Sequence, residues 1–277
     1  MSAMAAALGE VAKVPAFVRR DFLIAISYRT AFVGDLVLLG AQLVVFSFIG
    51  RLVDPARLPA YGGGPATYME FVVIGVALSL VTGLLIGRVA TAIRQEQLQG
   101  TVESLLATPT AVGTVQFGTV AFDLLWVPVR IGMLVLGIVL TFGLDLEPAG
   151  VPKAAILLAA FLPFAWGLGL LSAAATLAFR RGGGATALIV SFLGIASGAY
   201  FPLSLLPSWL ETASEANPLA IALEGMRETL LGGSGWGAVG VDLIVLLPLS
   251  AFVMAAGAAT FRLALARERR NGTLGLY

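Results

Sequence analysis

The chain contains no cysteine and no histidine, which removes disulfides, thiol nucleophiles, Cys/His metal sites and histidine acid–base catalysis together. Lysine occurs only as Lys13 and Lys153, and neither follows a glycine. A phosphate-cradling G-x-x-x-x-G-K-[ST] loop is therefore missing, and the chain is not expected to hydrolyse ATP alone. Gly182-Gly183-Gly184 beside Arg180-Arg181 reads as a flexible turn rather than a nucleotide site. Charge is scarce as well: 12% of residues are Asp, Glu, Lys or Arg and the net charge is +1, against about 25% charged in soluble domains. No nucleic-acid partner is expected. No cofactor is expected on this chain.

What fills the space is apolar. Hydrophobic residues make up 58% of the sequence and mean hydropathy is +0.95, which describes an integral membrane protein. A helix crosses the bilayer with about 20 mostly apolar residues. Six segments approach that, near 31–49, 70–87, 122–142, 154–179, 184–201 and 239–261. The expectation is an all-α integral membrane protein forming one domain over 1–277, with both termini on the same side. Lys13, Arg19, Arg20, Arg29, Arg88, Arg94, Arg180, Arg181, Arg262, Arg267, Arg269 and Arg270 fall on one side of these spans, and Arg51, Arg57, Lys153 and Arg227 on the other. Basic residues concentrate in cytoplasmic loops, so both termini and the 88–116 loop are expected in the cytoplasm and 202–236 outside.

The third span reaches a full crossing only by taking in Arg130 and Asp123. Seven positions apart, the two share a helix face. Either they form a polar contact along a path or subunit interface, or Asp123 lies at the surface and Arg130 snorkels. Ahead of the first span, Val11, Val14, Val18, Phe22 and Ile26 alternate with Lys13, Arg19, Arg20 and Arg29 at helical spacing. Residues 1–30 thus read as a cytoplasmic interface helix, suited to anionic lipid headgroups.

Two polar stretches interrupt the apolar pattern. In 96–109, Leu98, Val102, Leu105 and Leu106 fall on one helix face, and Glu96, Gln99, Gly100 and Glu103 on another. Pro109 closes the segment, and a helical Gly100 suggests close approach of another backbone. The second stretch follows the fifth span, where Pro202 and Pro207 break an uncharged run. Ser208-Trp209-Leu210-Glu211 has capping-box spacing. Asn217-Pro218 supplies a second helix start, with asparagine as N-cap and proline at the first helical position. Two short helices over 202–231 are expected, re-entrant at the outer leaflet.

Glu96, Gly100-Thr101, Glu103, Leu105-Leu106 and Thr108-Pro109 resemble the E…GT-x-E-x-L-L-x-T-P signature of type-2 ABC transporter permeases. Ser197-Gly198, Phe201-Pro202, Leu206-Pro207, Trp209-Leu210, Asn217-Pro218-Leu219 and Arg227 are similar to the carboxy-terminal motif of the same family. The form of the first motif lies nearer the drug and lipid export branch than the polysaccharide branch. The resemblance implies that Glu96, Leu98, Gly100, Thr101, Val102, Glu103, Leu105, Leu106 and Pro109 form a coupling helix seated on a separate ATPase. It also implies that Ser197, Gly198, Phe201, Pro202, Pro207, Trp209, Asn217, Pro218 and Arg227 belong to an external gate.

On that resemblance the chain is a permease subunit of an exporter in a bacterial cytoplasmic membrane, moving a drug, lipid or lipid-linked glycan. Two nucleotide-binding ATPase subunits carry the ATP and magnesium. A second copy or a similar permease completes the path. The alternative is a gradient-driven transporter or channel, for which Asp123, Asp35, Glu70 and Asp242 are the available acids. Gly194-Ile195-Ala196-Ser197-Gly198 superficially matches the G-x-S-G of intramembrane hydrolases, but no histidine exists to act as base.

Overall fold

The structure, a computed structural model, describes residues 9, 12–27, 29–54, 58–62, 64–65, 67–98, 143, 146–179 and 183–271, with further helical positions between 114 and 137. The described chain is mostly helical. Its elements are α1 (Val14–Ser27), α2 (Arg29–Gly50), α3 (Tyr68–Leu98), α4 (Val151–Phe179), α5 (Gly183–Ile195), α6 (Ser208–Glu215), α7 (Pro218–Leu230) and α8 (Trp236–Asn271). Between α2 and α3, β1 (Ala60–Tyr61) and β2 (Gly64–Pro65) pair antiparallel, Tyr61 opposite Gly64.

Among the described residues, three helical stretches are long and apolar enough to cross a membrane: Tyr68–Arg88, Pro148–Ala178 and Trp236–Glu268. They match the expected second, fourth and sixth spans. The expected first span is helical within α2. The third lies mostly outside the described residues, as do Asp123 and Arg130. The expected fifth span, 184–201, differs: α5 stops at Ile195 after 13 residues, roughly 20 Å of helix where a crossing needs about 30 Å. Gly198, at φ +71°, turns the chain through a left-handed conformation that favours glycine.

The helices pack through small residues. A side chain on Gly167 of α4 would enter the backbone of Val253, and one on Gly257 of α8 would enter Gly167 itself. Two glycines thus let α4 and α8 approach closely, as interhelical contacts in lipid require. A core of Leu78, Leu85, Phe161, Ala165, Leu223 and Leu246 joins α3, α4, α7 and α8. On α1, Phe22 meets Phe122 edge-on at 6.3 Å between centroids, while Asp21 is buried and paired with Arg20 at 2.9 Å.

Candidate functional site

An α-helix ends with four carbonyls that lack an intrahelical donor, and inside a membrane protein these need protein partners. The end of α5 meets that demand with side chains from three directions. Ser197 Oγ donates to Gly194 O at 2.8 Å. Asn217 Nδ2 donates to Ala196 O at 3.0 Å and reaches Leu193 O at 3.5 Å. Tyr68 Oη donates to Tyr200 O at 3.1 Å. Arg227 takes the carbonyls between: Nη2 donates to Gly198 O at 3.0 Å and Ala199 O at 3.4 Å.

Arg227 also joins this cluster to α3. Its Nε and Nη2 donate to Phe71 O at 3.2 and 3.0 Å, and its guanidinium carbon lies 3.5 Å from the centroid of the Phe71 ring. The side chain is 2% exposed. A cation buried so deeply needs partners on all sides, and it has carbonyl dipoles, an aromatic face and Glu224 Oε2 at 3.6 Å. The negative end of the α5 dipole adds a favourable field. One turn beyond Phe71, Gly75 presents bare backbone: any side chain there would collide with the Ala199 carbonyl.

α7 carries Arg227 and is itself fixed at both ends. At its start Asn217 accepts from Leu219 N at 3.0 Å through Oδ1, with Pro218 at the first helical position, as expected. One asparagine therefore caps α7 and ties it to α5. At its far end Glu147 N donates to Leu230 O at 2.7 Å, Lys153 Nζ donates to Ser234 O, and Gly150 lies against the Thr229 carbonyl. From the β1–β2 hairpin, Tyr61 Oη donates to Glu224 Oε1 at 2.8 Å. Burial, then the Glu224 charge, pushes the Tyr61 phenol well above its ordinary pKa of 10.0.

Of the predicted gate residues, the structure brings Ser197, Gly198, Asn217, Pro218 and Arg227 into one buried group. Pro202 is buried nearby and Phe201 is half-buried. Trp209, 68% exposed, and Pro207, also exposed, stand away from it. The capping box at Ser208 does not form: Pro207 holds the N-cap position of α6 and no side chain caps that end. A proline at that position has already set the chain direction, and Ser208 enters the helix proper. Phe71, Gly75, Tyr61, Tyr68 and Glu224 were not predicted as site residues. A glycine within an apolar span was the one available signal, since it costs helix stability unless a close contact uses it.

At the opposite end, α3 runs unbroken to Leu98, so Glu96 and Leu98 belong to the same helix as Phe71 and Gly75. Gly100, Thr101, Val102, Glu103, Leu105, Leu106 and Pro109 lie outside the described residues. Among the described residues no group of acidic side chains could hold a metal ion.

Residues 14–231 match the family model for the ABC-2 type transporter. The match begins at the first residue of α1 and ends just past α7, so it takes in the whole carbonyl cluster and Arg227. A search of curated proteins found no match.

Proposed function

The chain belongs to the ABC-2 type transporter family, and from that premise we propose that it is the permease subunit of an ATP-driven exporter. Membership makes it a multi-pass membrane component of an ABC transporter, not itself catalytic, that works with ABC ATPase subunits. Export, a pair of ATPases, a second permease, a cytoplasmic coupling helix at 96–109 and an external gate at 202–231 are the proposal's own content.

One observation carries it. α3 is 31 residues long, roughly 46 Å of continuous helix, and the two motifs of interest sit at its two ends. Its carboxy-terminal end leads into the 96–109 segment. Its amino-terminal end presents Phe71 O to Arg227 and Gly75 to Ala199. A helix that long moves as a lever, so displacement at Glu96–Leu98 is felt at the contacts holding α5 and α7 together.

In this mechanism ATP binding draws the two ATPases together and the motion enters through 96–109. Leu98, Val102, Leu105 and Leu106 supply apolar contact to the ATPase, while Glu96 and Glu103 meet basic groups on it. As α3 tilts, the Arg227–Phe71 and Gly75–Ala199 contacts shift. The α6–α7 pair then moves relative to α3, and an amphipathic molecule held between two permeases passes to the outer leaflet. Drug, lipid and lipid-linked glycan all fit a path lined by Leu, Val, Phe and Gly. The exposed apolar side chains of α2, α5 and α8, among them Val37, Leu188 and Ile244, supply surface for lipid and for the second permease.

The test is Glu103→Arg in the complex with its ATPase. The variant is expected to insert normally and to hydrolyse ATP without moving a hydrophobic dye or fluorescent phospholipid. Transport at the native rate would put the coupling site elsewhere.

A further inference from the structure

A second polar feature lies beside the carbonyl cluster and shares Tyr68 with it. Where α2 ends and α3 begins, a cavity of about 260 Å³ is lined among the described residues by Ser47, Arg51, Thr67, Tyr68 and Glu70, with Gly50, Met69 and Gly143 beside them. Its charges are of opposite sign and come from different elements, Arg51 just past α2 and Glu70 in the first turn of α3. The Glu70 carboxylate is steadied by a reciprocal cap, Oε2 accepting from Thr67 N at 2.7 Å while Thr67 Oγ1 accepts from Glu70 N at 3.3 Å. That cap uses one of its two oxygens. Arg51 rests over the Phe48 ring at 5.2 Å, and its side chain is otherwise exposed.

The surroundings are those of a bilayer surface. Val44 and Phe48, four residues apart on α2, are 53% and 59% exposed, and Leu52 beyond them is 86% exposed. An apolar strip thus runs along α2, the expected first span, to the rim of a cavity holding one cation and one anion. Such a site suits a ligand with two acyl chains and a zwitterionic head. We infer that the cavity binds the headgroup of phosphatidylethanolamine, with phosphate on Arg51 and ammonium on Glu70.

The chemistry makes that choice selective. A guanidinium offers a planar fork of donors to phosphate oxygens, and the Thr67 hydroxyl lies in the same wall, whereas Ser47 Oγ already donates to Val44 O at 2.7 Å. The ethanolamine ammonium donates hydrogen bonds to a carboxylate. Phosphatidylcholine carries the same charges but has no N–H to donate, and phosphatidylglycerol has no cation for Glu70. The site also touches the gate: Tyr68 lines the cavity and donates to Tyr200 O, so a bound headgroup braces one of the carbonyl partners. None of this depends on the ATP-driven reading, because the lining residues and the membrane setting suffice.

The test is native mass spectrometry of the purified 277-residue chain with phosphatidylethanolamine, phosphatidylcholine and phosphatidylglycerol of identical acyl chains. Phosphatidylethanolamine should be retained about tenfold better than either of the others. Glu70→Gln, which keeps an acceptor for the cap, should bring it down to the phosphatidylcholine level. Arg51→Ala should weaken all three. Soluble glycerophosphoethanolamine at equal concentration should leave the lipid in place, and displacement by it would assign the cavity to a free zwitterion instead. Equal retention of the three lipids by the native chain, or an ethanolamine preference that survives both substitutions, overturns the inference.

Discussion

Arg227 on α7 and Phe71 on α3 are joined twice, by two hydrogen bonds from the guanidinium to the Phe71 carbonyl and by the stacking of the same guanidinium on the Phe71 ring at 3.5 Å. The pairing lets one side chain satisfy the broken end of α5 and clamp α7 to a membrane-spanning helix. The carbonyl contacts carry the energy. Glu224, the one carboxylate paired with Arg227 among the described residues, sits 3.6 Å away with its side chain 47% exposed, where ion pairs contribute about 1 kcal/mol or less.

That ranking separates two substitutions. Arg227→Met, which leaves the carbonyls of Gly198 and Ala199 without a donor and removes the side-chain bonds to Phe71 O, should destabilise the protein by about 3–5 kcal/mol. Glu224→Gln should change stability by less than about 1 kcal/mol. Thermal unfolding of the two variants in detergent, monitored by tryptophan fluorescence, checks the order. Equal losses would mean that the ion pair, not the carbonyl cluster, holds Arg227.

Gly75 and Gly87 lie on the same helix and should respond oppositely to alanine. At Gly75 the new methyl group would meet the Ala199 carbonyl, whereas at Gly87 nothing among the described residues lies within 4 Å. Gly75→Ala should cost about 1–3 kcal/mol as the α3–α5 contact opens. Gly87→Ala should be neutral or stabilise by up to about 1 kcal/mol through helix propensity. Melting temperatures of the two purified variants decide it.

Asn217 has two jobs that Asn217→Asp divides. An aspartate keeps the oxygen that caps α7 at Leu219 N but loses the donor to Ala196 O and sets a carboxylate against that carbonyl. The loss should be about 2–3 kcal/mol, larger than the ~1 kcal/mol of an ordinary cap deletion. Hydrogen exchange should localise the effect to 193–200 rather than to the first turn of α7.

Tyr61 should not ionise in the ordinary phenol range, because burial, followed by the charge of Glu224, raises its pKa. An acid whose folded-state pKa is raised contributes stability that is complete below its unfolded value, here 10.0, and that disappears as pH climbs through the folded value. Stability from this residue should therefore hold constant across neutral pH. Difference titration at 295 nm between the native chain and Tyr61→Phe should show no phenolate step near pH 10 belonging to Tyr61. A step there would mean that Tyr61 is not buried beside Glu224.

Much of this arrangement could be read from the residues, and the remainder fails for definable reasons. Long apolar runs located the helices of α3, α4 and α8 because span length is a composition property. Asn217-Pro218 located the start of α7 because its cap is local. The early end of α5 was not legible: residues 184–201 carry no charge, and only the contacts of Asn217, Arg227 and Tyr68 make a helix end acceptable at that place. Ser208–Glu211 misled for the converse reason, since Pro207 takes the position that the capping box would need. Phe71 and Tyr61 entered the site through a backbone carbonyl and a hydroxyl 156 and 163 residues distant from their partners, and no local pattern marks such pairings.

The most direct measurement is to recover the affinity-tagged chain from its native membrane under mild detergent and identify by mass spectrometry everything retained with it. An ATP-driven permease should bring down a stoichiometric ATPase bearing a Walker A loop. Recovery of the chain alone or with copies of itself, with no ATPase under conditions that preserve the assembly, would contradict the account.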